Sequence, residues 1–460
     1  MKVKCVTLGC KTNKYESNAM EQSFIKHGYE IINDTEETPD IYIVNTCSVT
    51  NVAERKSRQM LRKVKSTNPN AIVVACGCYA QVAKQEIEKI PEVDLILGIN
   101  EKNHIVEIIE TYMKNHKKIT KVTDVMHECD FQDFGTTTYT EQTRAVVKIQ
   151  DGCDRFCTYC IIPYARGRVR SRTPQSIINE IKKIAQTGLK EVVLTGIHIA
   201  SYGKDFNKEK TIEYRKLYGY NEKYEAFTPS NDIHSGGFRF IELIEQINKI
   251  EGIERIRLGS IEPKLINQEW VNRISKLSKV CKHFHLSLQS GCNETLSRMN
   301  RRYTTEEFEE AVKILRETWQ DVCLTTDIIV GFPGETEQEF QETYEFLSKI
   351  KFYKMHIFKY SQRTGTKAET MPNQLDGKTK ENRSKKLIEL SNKNEQEYNK
   401  QYIGKTVKVL FEEKEDRYYK GHTDNYMFVK AISDVDLANK LTEVKITQAE
   451  NNMLFGDTIK

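Results

Sequence analysis

The stretch that most restricts this chain is Asp151-Gly-Cys153-Asp-Arg-Phe-Cys157-Thr-Tyr-Cys160, which sets three cysteines at CxxxCxxC spacing within eight residues. Thiols this close on one loop can share a single inorganic centre. A tetrahedral zinc site takes four ligands, and zinc motifs come as two CxxC pairs with a spacer, whereas no second CxxC pair occurs here. Three cysteines instead hold three irons of a cubane and leave the fourth iron open to a small molecule. A dithiol redox loop would leave Cys153 without a role.

The amino-terminal third repeats a different arrangement. Lys2 to Leu8 alternates and is rich in β-formers, so it predicts a strand ending at Gly9-Cys10, with a helix over Tyr15 to His27. A strand at Ile41 to Asn45 ends at Thr46-Cys47, and one at Ala71 to Ala75 ends at Cys76-Gly77-Cys78. Helices are expected over 54–66 and 81–90, with further strands near Tyr29 to Ile32 and Val93 to Gly98. Strand, helix, strand in regular order implies a parallel α/β sheet that places ligands outside its carboxyl ends. Three strand ends therefore deliver Cys10, Cys47 and Cys78 to one edge, with Cys76 the rival of Cys78.

Leu8-Gly-Cys10-Lys-Thr-Asn13, Val44-Asn-Thr-Cys47 and Gly77-Cys78-Tyr-Ala-Gln81 resemble the amino-terminal domain of the methylthiotransferases. The CxxxCxxC loop resembles the signature of the radical S-adenosylmethionine enzymes. The resemblance runs across nearly the whole chain and implies two [4Fe-4S] clusters. One sits on Cys153, Cys157 and Cys160, binds S-adenosylmethionine and generates a 5′-deoxyadenosyl radical. An auxiliary one, on Cys10, Cys47 and Cys78, holds the sulfur. Together they account for six of the twelve cysteines, while Cys129, Cys281, Cys292 and Cys323 share no spacing and read as ordinary thiols.

After a linker over 126–142, six strand-like runs begin at Ala145, Glu191, Arg255, His285, Thr325 and Lys354, with helical stretches between them. They predict an open (β/α)6 partial barrel spanning 143–377, with chemistry at its carboxyl strand ends. Thr195-Gly196, Ser260 and Gln289 fall at such ends; with Tyr159, the resemblance implies that they contact S-adenosylmethionine. Residues 204–237 are polar and read as an inserted flexible loop. A connector helix over 378–402 leads to about sixty residues of short strands, 403–460, expected to form a small antiparallel β-barrel that resembles the TRAM domain, an RNA-binding module.

With 70 Lys and Arg against 65 Asp and Glu, net charge alone names no partner, so positive charge has to be sought locally. Arg166, Arg168, Arg170 and Arg172 follow the cysteine loop with no acid among them, and alternate arginines in an extended segment project to one side, suiting phosphate contact. Arg55, Lys56, Arg58, Arg62, Lys63 and Lys65 form a second basic stretch, and Tyr418, Tyr419, Lys420, His422, Tyr426 and Lys430 supply aromatics and cations to the terminal barrel. The expected fold is α/β with an amino-terminal parallel domain over 1–125, a radical S-adenosylmethionine barrel and a TRAM-like barrel.

The resemblance implies a transfer RNA methylthiotransferase. Gly-Cys-Lys-Thr-Asn and Cys-Ile-Ile-Pro-Tyr-Ala-Arg-Gly-Arg are most similar to the branch that acts on N6-threonylcarbamoyladenosine beside the anticodon; branches acting on N6-isopentenyladenosine or on a ribosomal-protein aspartate are the alternatives. A reading from another class is a non-catalytic RNA-binding protein with structural zinc. Expected partners are transfer RNA and a flavodoxin- or ferredoxin-type electron donor. The protein is expected to be a monomer in the cytoplasm, since no run approaches 18 apolar residues and the first residues are too lightly apolar for a secretory signal.

Overall fold

The computed structural model describes residues 1–33, 37–135, 143–220 and 238–459. The first sheet has six parallel strands, β1 (Lys2–Thr7), β2 (Glu30–Ile31), β3 (Ile41–Thr46), β4 (Ile72–Gly77), β5 (Leu95–Leu97) and β6 (Ile119–Lys121), in the order β2-β1-β3-β4-β5-β6. The sequence reading missed β6. Strands β3 and β4 are buried along their whole length, as unbroken apolar runs must be when helices cover both faces. Helices α1 (Lys11–Lys26) and α5 (Ile105–Asn115) cover one face over Val3, Met20, Phe24, Ile43 and Cys76. Helices α2 (Asn51–Thr67), α3 (Cys78–Val82) and α4 (Lys84–Glu88) border the other over Val44, Leu61, Val73 and Tyr79. The single helix expected over 81–90 is thus two short ones.

The central unit contains β7 (Arg144–Lys148), a short ribbon of β8 (Gln150–Asp151) and β9 (Arg170–Ser171) flanking α6 (Ile162–Arg166), then α7 (Pro174–Gln186) and β10 (Glu191–Thr195). After α8 (Lys208–Leu217) and α9 (Phe240–Asn248) come β11 (Arg255–Leu258), α10 (Gln268–Ile274), β12 (His283–Gln289), α11 (Asn293–Arg298), α12 (Thr305–Thr318), β13 (Cys323–Val330), α13 (Glu337–Ile350) and β14 (Lys354–Lys359). Parallel pairings β7-β10-β11 and β12-β13-β14 are joined by parallel bridges Ile256 to Val280 and Ile261 to Leu286, which gives the expected open six-stranded barrel. Along β12, Phe284, Leu286 and Leu288 enter the apolar core, while His283 and His285 turn the opposite way, both against Thr325 Oγ1 at 2.9 and 3.0 Å.

One expectation changes here. Within 204–237, Phe206 and Tyr214 are buried against Phe238 and Tyr202, so residues 204–220 form an ordered aromatic cap built around α8. The rest of that segment, 221–237, and residues 136–142 of the expected linker lie outside the described residues.

Helix α14 (Gly377–Lys400) leads to β15 (Thr406–Glu415), β16 (Tyr418–Thr423), β17 (Phe428–Ile432), β18 (Leu441–Glu450) and β19 (Met453–Thr458), a closed barrel in the order β15-β16-β17-β19-β18. It is not wholly antiparallel as expected. Strands β17 and β19 pair parallel, because β18 runs between them in sequence and closes the far side.

Candidate metal centres

The CxxxCxxC loop leaves the carboxyl end of β7 through β8 and closes on itself at Gly152, whose φ is +71°; a Cβ there would lie 1.7 Å from the Arg168 carbonyl oxygen. Cys153 N–H donates to Gly167 O at 3.0 Å. From the other side the turn after α11 braces the loop: Thr158 Oγ1 donates to Arg298 O at 2.8 Å, and Asn300 Nδ2 donates to Phe156 O at 3.0 Å. The three thiols lie within mutual electrostatic reach. Donors are already aimed at two of them: Arg301 Nη1 sits 3.2 Å from Cys157 Sγ, and the Arg155 N–H 3.5 Å from Cys153 Sγ. Burial pushes the Cys153 thiol up to about 12, and charge-assisted donors around buried sulfur suit sulfur carried as an anion on metal.

Of the residues read from sequence for S-adenosylmethionine, Tyr159 belongs to the loop itself and the others stand at the carboxyl ends of β10, β11 and β12. Tyr159 packs its ring edge-on against Phe332, with centroids 6.4 Å apart. Thr195 ends β10 and is buried, Gly196 adjoins Gln150, Ser260 is exposed, and Gln289 follows a bulge at φ +73°. Sequence reasoning missed Glu262, which takes Arg155 Nη2 at 2.5 Å and His198 Nε2 at 2.8 Å. Against the cost of burial, the His198 hydrogen bond and the charges of His198 and Arg155 bring its carboxyl to about 2.

The second cysteine set is assembled by the sheet. Cys10 caps the start of α1 and is exposed, Cys47 follows β3, and Cys78 opens α3 just beyond β4. Gly9 has φ +100°, and a Cβ there would sit 2.6 Å from Cys47 Sγ, so glycine alone lets the two strand ends approach. Cys47 is within electrostatic reach of both Cys10 and Cys78, and burial pushes its thiol up to about 11. Cys76 faces away, fully buried in the apolar layer with Val74 and Leu97.

Two arginines lie between the cysteine sets. Arg363 is buried, holds Ser48 and Glu54 beside Cys47 through Nη2, and lies within electrostatic reach of Cys47 and Cys160. Its Nη1 is buried without a partner. An orphaned cationic donor between two sets of thiols suits the anionic sulfur of clusters on both sides. Arg166 is fully buried. Its Nε lies 3.3 Å from Cys78 Sγ, its Nη2 2.7 Å from Asn13 Oδ1, and its Nη1 2.8 Å from Glu16 and 3.0 Å from Asp151. Glu16 also takes Lys102 at 2.5 Å and Lys148 at 2.6 Å, and Lys148 reaches Asp151 at 2.6 Å. Three cations and two carboxylates thus fill the seam between the units. The cations hold the Glu16 and Asp151 carboxyls far below the usual carboxylate range despite burial.

This network corrects the reading of the arginine run as a phosphate-binding edge. Arg166 and Arg170 are buried, as is Arg172, which is paired with Glu180 and with Asp133. Only Arg168 is exposed, its guanidinium 4.7 Å from the Phe156 ring centroid. The terminal-barrel set also divides. Tyr418 and Lys420 remain partly exposed beside Lys430, Lys420 pairing with Glu415 at 2.6 Å. Tyr426 is instead sandwiched between His283 and His422, with centroids 4.5 and 4.9 Å away, and lies under Arg257, while His422 bonds Glu412 at 2.5 Å. That ring clamps the terminal barrel to the central one. On α2, Arg55, Lys56, Arg62 and Lys63 are exposed, whereas Arg58 bonds Tyr79 and Lys65 pairs with Asp94.

Comparison with known proteins agrees with this geometry. The family described as the Radical SAM superfamily matches residues 147–347, and the uncharacterized protein family UPF0004 matches residues 2–98. The threonylcarbamoyladenosine tRNA methylthiotransferase MtaB of Bacillus subtilis is 38% identical over 449 residues, covering 96% of this chain and 93% of that protein. The MtaB of Aquifex aeolicus is 41% identical over 430 residues, covering 94% and 96%. A tRNA-2-methylthio-N(6)-dimethylallyladenosine synthase of Clostridium tetani is 36% identical over 462 residues, covering 98% and 95%. Among solved structures, the radical S-adenosylmethionine methyltransferase TsrM of Kitasatospora setae, with cobalamin and a [4Fe-4S] cluster bound, shares the fold at a TM-score of 0.52 and 14% identity, covering 80% of this chain and 77% of its own. With full-length relatives at this identity, the chain belongs to the radical S-adenosylmethionine tRNA methylthiotransferase family.

Proposed function

We propose that this enzyme converts N6-threonylcarbamoyladenosine next to the anticodon of a transfer RNA into its 2-methylthio derivative. The observation that carries the reading is the pair of three-thiol sites on one scaffold, separated by Arg166 and Arg363. Cys153, Cys157 and Cys160 hold one [4Fe-4S] cluster, and Cys10, Cys47 and Cys78 hold the auxiliary one; the apolar burial of Cys76 supports this choice over its neighbour. When bound, the first cluster and S-adenosylmethionine supply a carbon radical able to take hydrogen from adenine C2, and the second supplies the sulfur that replaces it.

The chain's own residues hold, orient and shield. Arg301 and the Arg155 N–H stabilise charge on the loop sulfurs. Tyr159, Thr195, Gly196, Ser260 and Gln289 line the S-adenosylmethionine side of the mouth, where the Tyr159–Phe332 contact keeps water from the reacting carbon. Arg168, Tyr418 and Lys420, together with the exposed cations of α2, grip the RNA backbone. Electrons come from a flavodoxin- or ferredoxin-type protein. The functional divisions follow the limits near residues 125, 143, 378 and 403. Among the described residues no helix is long and apolar enough to cross a membrane.

The test is nucleoside mass spectrometry of transfer RNA from cells lacking the gene, before and after its restoration. Loss and recovery of 2-methylthio-N6-threonylcarbamoyladenosine supports the reading. Loss of the 2-methylthio-isopentenyl nucleoside instead assigns the neighbouring activity, and no change in either removes transfer RNA as substrate.

A further inference from the structure

Lys11 follows Cys10 directly and opens α1, whose first turn carries no acidic residue. It is exposed to solvent, yet within electrostatic reach of Tyr426, Arg144, Arg257 and Glu191, and also of His283 and His356 on the barrel strands. It therefore lies between the first sheet and the barrel, open to solvent yet crowded enough for its surroundings to disfavour its charge. The acids around it are already engaged. Glu191 takes Arg257 at 2.7 Å, Glu412 takes Arg144 at 2.9 Å and His422 at 2.5 Å, and Asp327 lies 3.2 Å from His285. Among the described residues Lys11 has no hydrogen bond or ion pair, while each of those acids already faces a partner of its own. An α1 amino terminus without an acid adds positive field there.

The substrate proposed above supplies a counter-charge at a matching place. In adenine the carbon bearing N6 and the reacting C2 flank the same ring nitrogen, so an N6 substituent folded over that edge brings its carboxylate beside C2. The cluster that gives sulfur to C2 is held by Cys10, one residue before Lys11. We propose that Lys11 is a specificity-determining residue, its ammonium pairing with the carboxylate of the N6 substituent while C2 faces the auxiliary site. This assignment rests on the substrate reading above.

The experiment uses full-length reconstituted enzyme and a pair of transfer RNAs, one carrying N6-threonylcarbamoyladenosine and the other the same nucleoside with its carboxylate capped as a methylamide, with an isopentenyladenosine transfer RNA as a third substrate. RNA Kd without S-adenosylmethionine, KM, kcat and iron per chain are read for the wild type, Lys11→Gln, Lys11→Met and Lys11→Arg. The expected result is that the wild type prefers the carboxylate by roughly 10- to 100-fold in Kd and KM, the range of a charge-assisted pair. Lys11→Gln and Lys11→Met lose that preference with iron unchanged, and Lys11→Arg keeps most of it. Equal binding of the two RNAs by the wild type, or an undiminished preference in Lys11→Gln, overturns the assignment. A wild type that leaves the threonylcarbamoyl RNA unmodified but converts an isopentenyladenosine RNA overturns the substrate reading itself, a different outcome from equal use of carboxylate and amide.

Discussion

Cys153, Cys157 and Cys160 are brought together by eight residues of chain, whereas Cys10, Cys47 and Cys78 meet only because β1, β3 and β4 end side by side. The first set needs a loop and a brace from the turn after α11. The second needs the register of a sheet, close-packed turns at Gly9 and at Gly77, where a Cβ would lie 2.5 Å from the Thr46 carbonyl oxygen, and a buried arginine. A locally built site survives disturbance elsewhere; a site built from distant segments fails with the packing that aligns them.

The largest effects come from the ligands. Cys157→Ala is expected to abolish release of methionine from S-adenosylmethionine while one cluster's worth of iron remains. Cys78→Ala should keep methionine release and lose methylthio transfer, and Cys76→Ala should keep both. Iron and methionine assays on the three variants check the division, which fails if Cys76→Ala is the one that loses iron.

Next comes Arg166→Met, which leaves buried Glu16 and Asp151 with one cation fewer. It should cost about 3 kcal/mol in denaturant unfolding and loosen both sites together. Arg166→Lys should recover part of the loss. Gly9→Ala is expected to be milder and one-sided, at about 1–3 kcal/mol for strain at positive φ and contact with Cys47. Its signature is iron lost from the strand-end set with methionine release intact; loss from both sets would mean that the two are not separable.

Acid sharpens the same contrast. Glu262 has its carboxyl lowered to about 2 from an ordinary value of 4.5, so it stabilises the fold above pH 4.5 and loses that contribution as pH falls from 4.5 towards 2. Because Glu16 and Asp151 also titrate low, Glu262→Gln should flatten only part of the acid-unfolding curve, followed by circular dichroism. The smallest effect is expected from Arg62→Glu with Lys63→Glu on the exposed face of α2. It should weaken RNA binding by about 1 kcal/mol at moderate salt and reduce the salt slope, with iron unchanged.

The elements that set these sites were legible where a periodic pattern coincides with a chain break. Strand ends marked by glycine and cysteine fell where expected because the sheet buries those apolar runs on both faces. The arginine run was misread because alternation describes an isolated strand, whereas Arg166 ends a helix and Arg170 and Arg172 turn into the seam. Glu16, Lys102, Lys148 and Asp151 gave no signal at all. Glu16 lies 86 residues from Lys102 and 132 from Lys148, and only tertiary packing joins them. Tyr426 looked like a stacking platform for bases and does stack, but on two histidines of its own chain.

One carboxylate, Glu16, is shared by cations from three segments: Lys102 of the first unit, Lys148 at the end of β7, and Arg166 behind the cysteine loop. A shared counter-ion makes the two metal sites thermodynamically linked. Whatever factor filling one site adds to the affinity of the other is returned unchanged in the opposite direction, whichever is filled first. The half-filled forms stay populated, as the one-sided losses expected above require, and the iron affinity of each site depends on whether the other is filled.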